Sequence, residues 1–144
     1  MKKNILIMAL IVCSAISTFA LSNLPAEEES IKQVVSEFIT GIDNKDADLL
    51  EKIVLDNGTF VSVNLRDEVE TLTSSELISR VKSGKLGGWK RDFNISQIDL
   101  SNNIAIVKVT ITSSKVNQLH NISLVKVAGE WKIANCCANM TKVS

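Results

Sequence analysis

The sequence has few of the residues from which metal sites and nucleic-acid surfaces are built. Its 144 residues include a single histidine and three cysteines, and 16 basic side chains are balanced by 16 acidic ones. A nucleic-acid-binding domain needs a basic surface, and a metal site needs more ligands than these residues supply. The glycine-rich segment 84–88 lacks the Gly-Lys-Ser/Thr of a phosphate-binding loop and is interpreted as a flexible connection. The sequence therefore predicts no nucleic-acid partner, no bound metal and no cofactor.

Residues 1–20 are typical of a secretory signal peptide. Lys2 and Lys3 give a positive start, the apolar run 5–16 follows, and residues 18–20 resemble a small-x-small cleavage site. The apolar run is short for a transmembrane helix, and no stop-transfer pattern follows it. We expect an exported protein of bacterial type, periplasmic or secreted, with no membrane attachment after the signal is removed.

The rest of the chain is predicted to form one domain. The sequence is consistent with signal cleavage after Ala20 or after Ala26. A lipid anchor at Cys13 is not expected, because a lipoprotein signal has a small residue just before its cysteine. Residues 21–26 are interpreted as a linker, and residues 27–144 are long enough for one domain with a modest core.

The first half of this domain is predicted to be mainly helical. Apolar residues recur at helical spacing as far as Ile42, in a helix that we expect to begin at Glu27. A second helix is predicted over 47–55 and a short strand over 59–63. A third helix is predicted to begin at Thr73, which has a glutamate three residues later, as in a capping box.

The second half, residues 93–140, predicts four consecutive antiparallel strands. Two-residue turns are expected at Asn102-Asn103, Val116-Asn117 and Ala128-Gly129, because asparagine and glycine tolerate the positive φ of tight hairpins. Helices that precede and cover one face of a mainly antiparallel sheet make an α+β domain.

The expected turns set the register and therefore the residues that share the face under the helices. His120 is expected opposite Cys137 on one side and Ser113 on the other. Polar side chains gather on this apolar face toward one end of the sheet, namely Asn94, Ser96, Ser113, His120, Asn135 and Cys137. Such a surface is typical of a small-molecule pocket, and it is equally typical of the open, solvated rim of a sheet.

The opposite face of the sheet is mixed in polarity. It carries apolar residues such as Ile104, Ile106, Val125 and Val127 among polar ones. This outer face is expected either to be solvated or to pair with a second copy of the chain in a homodimer.

Four segments carry a resemblance to a known family. They are Ile31-Lys32-Gln33-Val34-Val35, Phe38-Ile39-Thr40-Gly41-Ile42, Ile122-Ser123-Leu124-Val125-Lys126-Val127 and Gly129-Glu130-Trp131-Lys132-Ile133. With the order of the elements, they resemble the nuclear transport factor 2-like (SnoaL-like) superfamily and, within it, the small proteins called putative lumazine-binding. The resemblance covers nearly all of residues 27–140. It implies a cone-shaped fold with a cavity between the N-terminal helices and a curved, mainly antiparallel sheet.

The resemblance also draws attention to His120, the single histidine. Enzymes of this superfamily that isomerise, dehydrate or hydrate small molecules use an Asp, Glu or His in the cavity, so His120 is a candidate general base. Relatives often carry an acidic residue near this position, and no acidic residue shares the predicted face here. The alternative is a structural or rim histidine that is hydrogen-bonded to Ser113 or Asn135.

The adjacent cysteines Cys136 and Cys137 are expected to point to opposite faces of a strand. They allow a strained vicinal disulfide, an intermolecular bridge through Cys136, or free thiols. A nucleophilic pair of Cys137 with His120 is conceivable, but nothing in the sequence supplies an oxyanion hole.

Three functions follow, in order of preference. The first is an exported protein that binds a small ligand without turning it over. Its expected contacts are His120, Asn135, Ser113, Asn94 and Cys137, with Trp131 and Phe38 shaping the wall. The second is an isomerase, dehydratase or hydrolase with His120 as general base. The third is a non-catalytic domain that forms a homodimer through the outer face of the sheet.

Overall fold

The computed structural model describes residues 23–143, and the predicted signal peptide, residues 1–20, lies outside the described residues. The described chain contains three helices and six strands. The helices are α1 (Leu24–Asn44), α2 (Ala47–Ile53) and α3 (Ser74–Lys82). The strands are β1 (Val54–Val63), β2 (Val69–Thr73), β3 (Asp92–Ser101), β4 (Ile104–Thr112), β5 (Val116–Val127) and β6 (Glu130–Lys142).

The helices form where the sequence predicted them, with small differences at their ends. Helix α1 begins at Leu24 rather than at Glu27, because Pro25 fits a first helical turn, where its missing N–H is not needed. Residues 24–26 therefore belong to the helix and not to a linker. Helix α3 has the expected capping box, in which the Thr73 side chain and the Glu76 carboxylate each accept a backbone N–H of the other residue.

The six strands form one sheet in the order β2-β1-β6-β5-β4-β3. All neighbours are antiparallel except β1 and β6, which run parallel. The three helices pack on one face, which we call the inner face. This arrangement confirms the predicted α+β class, with N-terminal helices on a curved, mainly antiparallel sheet.

Two of the three predicted hairpin turns are confirmed. Asn102 and Ala128 adopt positive φ of 50° and 51° in the turns that open with them. The predicted turn at Val116-Asn117 is wrong, because β5 already begins at Val116. The turn lies at residues 113–115, where the Ser113 hydroxyl accepts the Val116 N–H at 3.1 Å and closes the loop. A β-branched valine resists positive φ, whereas a serine side chain can replace the missing backbone bonds of a turn.

This change moves the register between β4 and β5 by an even number of residues, so the faces are kept. Leu124 lies opposite Ala105 rather than Val109, and His120 lies opposite Val109 rather than Ser113. Because side chains alternate with a period of two, the residues of β5 expected on the inner face are still on it.

Two β-bulges, by contrast, reverse the faces of the segments beyond them. One extra residue, Ser96, interrupts the pairing of β3 with β4, and another, Ala134, interrupts the pairing of β6 with β5. Each bulge inverts the alternation of side chains along its strand. The predicted inner-face positions of Asn94, Asn135 and Cys137 are therefore wrong, and all three side chains are exposed on the outer face. Ser96 is exposed as well.

The core lies between α1 and the inner face of the sheet. The rings of Phe38 on α1 and Phe60 on β1 stack with their centroids 5.7 Å apart. Around them lie fully buried aliphatic side chains from α1, α2 and strands β4 to β6, including Ile31, Ile39, Leu50, Val107, Val109, Ile111, Ile122, Leu124 and Ile133. Burial of side chains of this size stabilises a fold by about 1.5–3 kcal/mol each, so this layer fixes where α1 sits on the sheet.

The first turn of α1 is tied to the β5–β6 hairpin by a carboxylate. Glu27 accepts a hydrogen bond of 2.8 Å from Nε1 of Trp131 and forms an ion pair with Lys126. These hydrogen bonds hold the pKa of the Glu27 carboxyl below its usual value.

Within residues 23–143, no helix is both long and apolar enough to span a bilayer.

Candidate functional site

His120 lies on the inner face of β5, where the apolar row of Leu124 and Ile122 gives way to polar side chains. Its ring makes two hydrogen bonds. Nε2 is 2.9 Å from Oε1 of Gln118, and Nδ1 is 3.3 Å from Sγ of Cys136. Because the bulge at Ala134 inverts the end of β6, Cys136 occupies the place in which Cys137 was expected.

Both members of this histidine–cysteine pair are uncharged near neutral pH. Burial, with a smaller contribution from the charge of Arg91, lowers the pKa of His120 from 6.5 to about 4. Burial, with a smaller contribution from Cys137, raises the pKa of the Cys136 thiol to about 12. The Gln118 oxygen can only accept, so Nε2 carries the proton and Nδ1 accepts the S–H of Cys136. The pair is thus not the thiolate–imidazolium arrangement of a cysteine nucleophile.

Gln118 is in turn bonded to a buried ion pair. Nη1 of Arg91 donates to Oε1 of Gln118 at 3.2 Å, and Nε of Arg91 donates to Oδ1 of Asp43 at 2.8 Å. The side chains of Arg91 and Asp43 are only 6% and 10% exposed. The five side chains from Asp43 to Cys136 therefore form one hydrogen-bonded series, which we call the polar chain: Asp43, Arg91, Gln118, His120 and Cys136.

The polar chain joins three parts of the fold. Asp43 stands at the end of α1, Arg91 immediately precedes β3, and the other three residues lie on β5 and β6. A buried charge is tolerated when it is paired and hydrogen-bonded, and every described buried polar side-chain atom has a partner. The polar chain thus fixes the segment before β3 against the helix and the sheet.

A cleft opens beside Arg91, between the segment before β3 and the β4–β5 turn. It has a volume of about 480 Å³. We call it the Trp89 cleft, and its lining residues are Gly88, Trp89, Lys90, Arg91, Ser113, Ser114, Lys115, Val116 and Gln118. The guanidinium carbon of Arg91 lies 4.5 Å from the centroid of the Trp89 ring, within the range of a cation–π interaction.

The structure brings together only part of the predicted site. Ser113 lies at the edge of the Trp89 cleft, but its hydroxyl is used within the β4–β5 turn, where it bonds with Val116. Phe38 is in the core against Phe60, and Trp131 lies at the other end of β5, opposite Lys126. Neither of these aromatic residues touches the polar chain through a hydrogen bond.

Sequence reasoning missed Cys136 as the inner cysteine, and with it Gln118, Arg91 and Asp43. One signal for Cys136 was present: the apolar residues of β6 step by two from Trp131 to Ile133 and then by three to Cys136. A step of three in an alternating pattern marks a bulge. Nothing in the sequence indicated that Asp43 and Arg91, far apart in the chain, would form a pair.

No cluster of three or more metal-ligating side chains occurs in residues 23–143. His120 and Cys136 bind each other, and neither has a carboxylate or a second imidazole beside it among its hydrogen-bond partners. This pair on its own offers two ligands, and a structural zinc site uses four.

A comparison with known protein families shows which family the chain belongs to. A family model described as putative lumazine-binding matches residues 26–137. The chain belongs to the putative lumazine-binding family. No curated protein sequence matches this family member.

Solved structures share the fold at low sequence identity. A nuclear transport factor 2-like protein from Silicibacter pomeroyi has a TM-score of 0.71 and 14% identity, with 81% of this chain and 98% of that chain covered. One from Shewanella baltica has a TM-score of 0.71 and 16% identity, with 82% and 96% covered. A ketosteroid isomerase-like protein from Erwinia carotovora atroseptica has a TM-score of 0.64 and 17% identity, with 81% and 95% covered. These structures confirm the predicted nuclear transport factor 2-like fold.

Proposed function

We propose that this member of the putative lumazine-binding family is an exported protein that binds a small ligand and does not turn it over. The observation that carries the proposal is the Trp89 cleft, which opens directly beside the polar chain. Its volume of about 480 Å³ lies within the range of small-molecule sites. A few fixed polar groups beside a concave surface are the usual means of orienting a small ligand.

The state of His120 favours binding over turnover. A general base needs a free lone pair in reach of the substrate, and Nδ1 already accepts the Cys136 thiol proton. Nε2 is held as a donor by Gln118, so neither ring nitrogen faces a ligand as a base. His120 does not line the cleft but donates a hydrogen bond to Gln118. Gln118 and Arg91 are the members of the polar chain that line the cleft.

Native mass spectrometry of the purified protein tests ligand binding. A mass that is retained under gentle conditions and lost on denaturation is the expected result. Where none is retained, thermal-shift screening against a panel of small metabolites should give at least one stabilising compound, because a ligand that binds only the folded state raises its stability. A panel with no stabilising compound and no retained mass contradicts the proposal.

The absence of turnover has its own test. Because one similar fold belongs to a ketosteroid isomerase-like protein, isomerisation is the first reaction to assay. Wild type and His120→Gln are expected to be equally inactive toward ketosteroid and other isomerase substrates. Activity that is present in the wild type and lost in His120→Gln would establish the enzyme instead.

Export is supported by the sequence of residues 1–20. The proposed signal peptide predicts that the mature protein begins at Leu21, or at Glu27 if cleavage follows Ala26. Intact-mass measurement of protein recovered from the periplasm or medium of an expressing bacterium checks this. A full-length chain that stays in the cytoplasm contradicts it.

A homodimer through the outer face of the sheet is a second candidate property, favoured by one apolar patch. Ile104 and Ile106 of β4 are 55% and 48% exposed, and Val127 of β5, two residues beyond the partner of Ile104, is 49% exposed. An exposed apolar patch on a sheet face is a common self-association surface. Sedimentation velocity should show a dimer that Ile106→Lys dissociates. Leu65→Lys, at an exposed apolar residue of the loop between β1 and β2, is the matched control and should leave the dimer intact.

A further inference from the structure

We infer that the Trp89 cleft takes a ligand that combines a planar ring with a negatively charged group, a carboxylate or a phosphate. The inference rests on the proposed function and specifies the chemical class of its ligand. Two properties of the cleft carry it: an excess of positive charge among its described lining residues and an exposed indole that is held in place.

The charge of the cleft differs from that of the whole protein. The full chain has a formal net charge of zero, yet the cleft is lined by three cationic residues, Lys90, Arg91 and Lys115, and by no acidic one. Arg91 is neutralised by its ion pair with Asp43. None of the ion pairs within residues 23–143 involves Lys90 or Lys115. These two ammonium groups therefore give the cleft a positive potential that attracts an anion.

A second cleft of similar volume has a smaller excess of positive charge than the Trp89 cleft. It lies at the other end of the sheet, has a volume of about 480 Å³ and is lined by three lysines and two glutamates. Lys126 is paired there with Glu27, and Lys132 with Glu130. Its lysines are largely compensated, so it has no comparable attraction for an anion.

The indole of Trp89 is exposed and yet fixed. It is 44% exposed, which is unusual for a residue of this size. Arg91 packs against its ring, and the N–H of the preceding Gly88 donates to the Asp43 carbonyl of α1 at 2.8 Å. Because its position is set before any ligand arrives, the ring offers a flat surface at little cost in conformational entropy. Stacking on such a surface favours a planar ring over an aliphatic one.

A matched pair of probes separates the ring from the charge. 2-Naphthoate carries both features, and 2-naphthamide has the same ring without the charge. The protein contains two tryptophans, so its amide correlation spectrum shows two indole N–H signals, and a Trp89→Leu variant assigns them. Trp131, buried and bonded to Glu27, is the internal control.

The expected result is a saturable shift of the Trp89 signal, and not of the Trp131 signal, on titration with 2-naphthoate. 2-Naphthamide should bind about tenfold more weakly, because it lacks the Coulomb attraction of a lysine at close range. The single substitution Lys115→Gln should weaken binding of the acid, and Lys90→Gln combined with Lys115→Gln should weaken it to the level of the amide. Lys85→Gln, at an exposed lysine outside the cleft, should change nothing.

Equal affinity for the acid and the amide, a shift of Trp131 alone, or no shift at millimolar probe would overturn the inference. Its failure can be told apart from failure of the proposed function. A retained or stabilising ligand that is neutral, or whose affinity survives both Trp89→Leu and Lys115→Gln, would leave the binding function standing and remove this assignment of its chemistry. A protein that binds no small molecule at all would remove both.

Discussion

The stability of the protein should fall between pH 7 and pH 5 because of one side chain, His120. The folded imidazole has a pKa of about 4 and the ordinary value is 6.5, so the unfolded chain binds the proton more readily. Well above pH 6.5 both states hold His120 neutral, so the histidine leaves the free energy of unfolding unchanged. As the pH falls from 6.5 toward 4, only the unfolded chain takes up the proton, and the free energy of unfolding decreases. At pH 5 the unfolded histidine is almost fully protonated and the folded one hardly at all. Linkage then gives a loss of about 2 kcal/mol in the free energy of unfolding relative to pH 7.

Urea unfolding followed by circular dichroism at pH 7, 6 and 5 measures this loss. His120→Gln keeps a polar side chain that does not titrate, and its free energy of unfolding should stay nearly constant over the same range. No other histidine is present in the sequence. The pKa of Glu27 is lowered from its usual value of 4.5, so the stability that Glu27 contributes is lost mainly below pH 4.5, outside the range from pH 7 to pH 5. Wild-type and variant curves that run parallel from pH 7 to pH 5 would refute the neutral, buried state of His120.

Three further outcomes are expected from substitutions and labelling. Gly87→Ala should lower the free energy of unfolding by more than about 2 kcal/mol, because Gly87 has a φ of 95° and an added Cβ would collide with a carbonyl of α1. Gly129→Ala is the control: Gly129 has a φ of 84° but open space around it, so the loss measured by urea unfolding should be only about 1 kcal/mol. In protein from which residues 1–20, and with them Cys13, have been removed, iodoacetamide should modify the native state once, at exposed Cys137. Cys137→Ser should abolish this labelling because Cys136 is buried and its pKa is raised. Glu27→Gln should lower stability at pH 7 by about 1 kcal/mol through the weakened tie of α1 to the last hairpin.

The helices and hairpins could be predicted because their signals are local. The capping box at Thr73 and the turn at Ala128-Gly129 depend on a few neighbouring residues, and the structure confirms both. The same holds for the buried face of β4, where every second residue from Ala105 to Ile111 is apolar and buried. Where one face of an element is uniformly apolar, burial leaves a single orientation open to it.

The candidate site could be predicted only in part because strict alternation was assumed across the bulges. A single inserted residue inverts a strand, so one unrecognised bulge at Ala134 exchanged the roles of Cys136 and Cys137. The sequence held the signal, since the apolar residues of β3 likewise step by three from Ile95 to Ile98. The partnership of Asp43 with Arg91 is different in kind, because it arises from how α1 crosses the sheet and leaves no local pattern.

The parallel pairing of β1 with β6 has a consequence for how the protein folds. Val54 of β1 pairs with Ile133 of β6. The hydrogen bonds on this side of β1 can therefore form only after the last strand has folded. Closing so long a loop costs about 4 kcal/mol of chain entropy before the contacts repay it. Such topologies fold slowly, with the barrier dominated by distant contacts. Until β6 has formed, β1 and β2 therefore make a hairpin in which the edge of β1 that later pairs with β6 is free, and this free edge can pair with another copy of the chain.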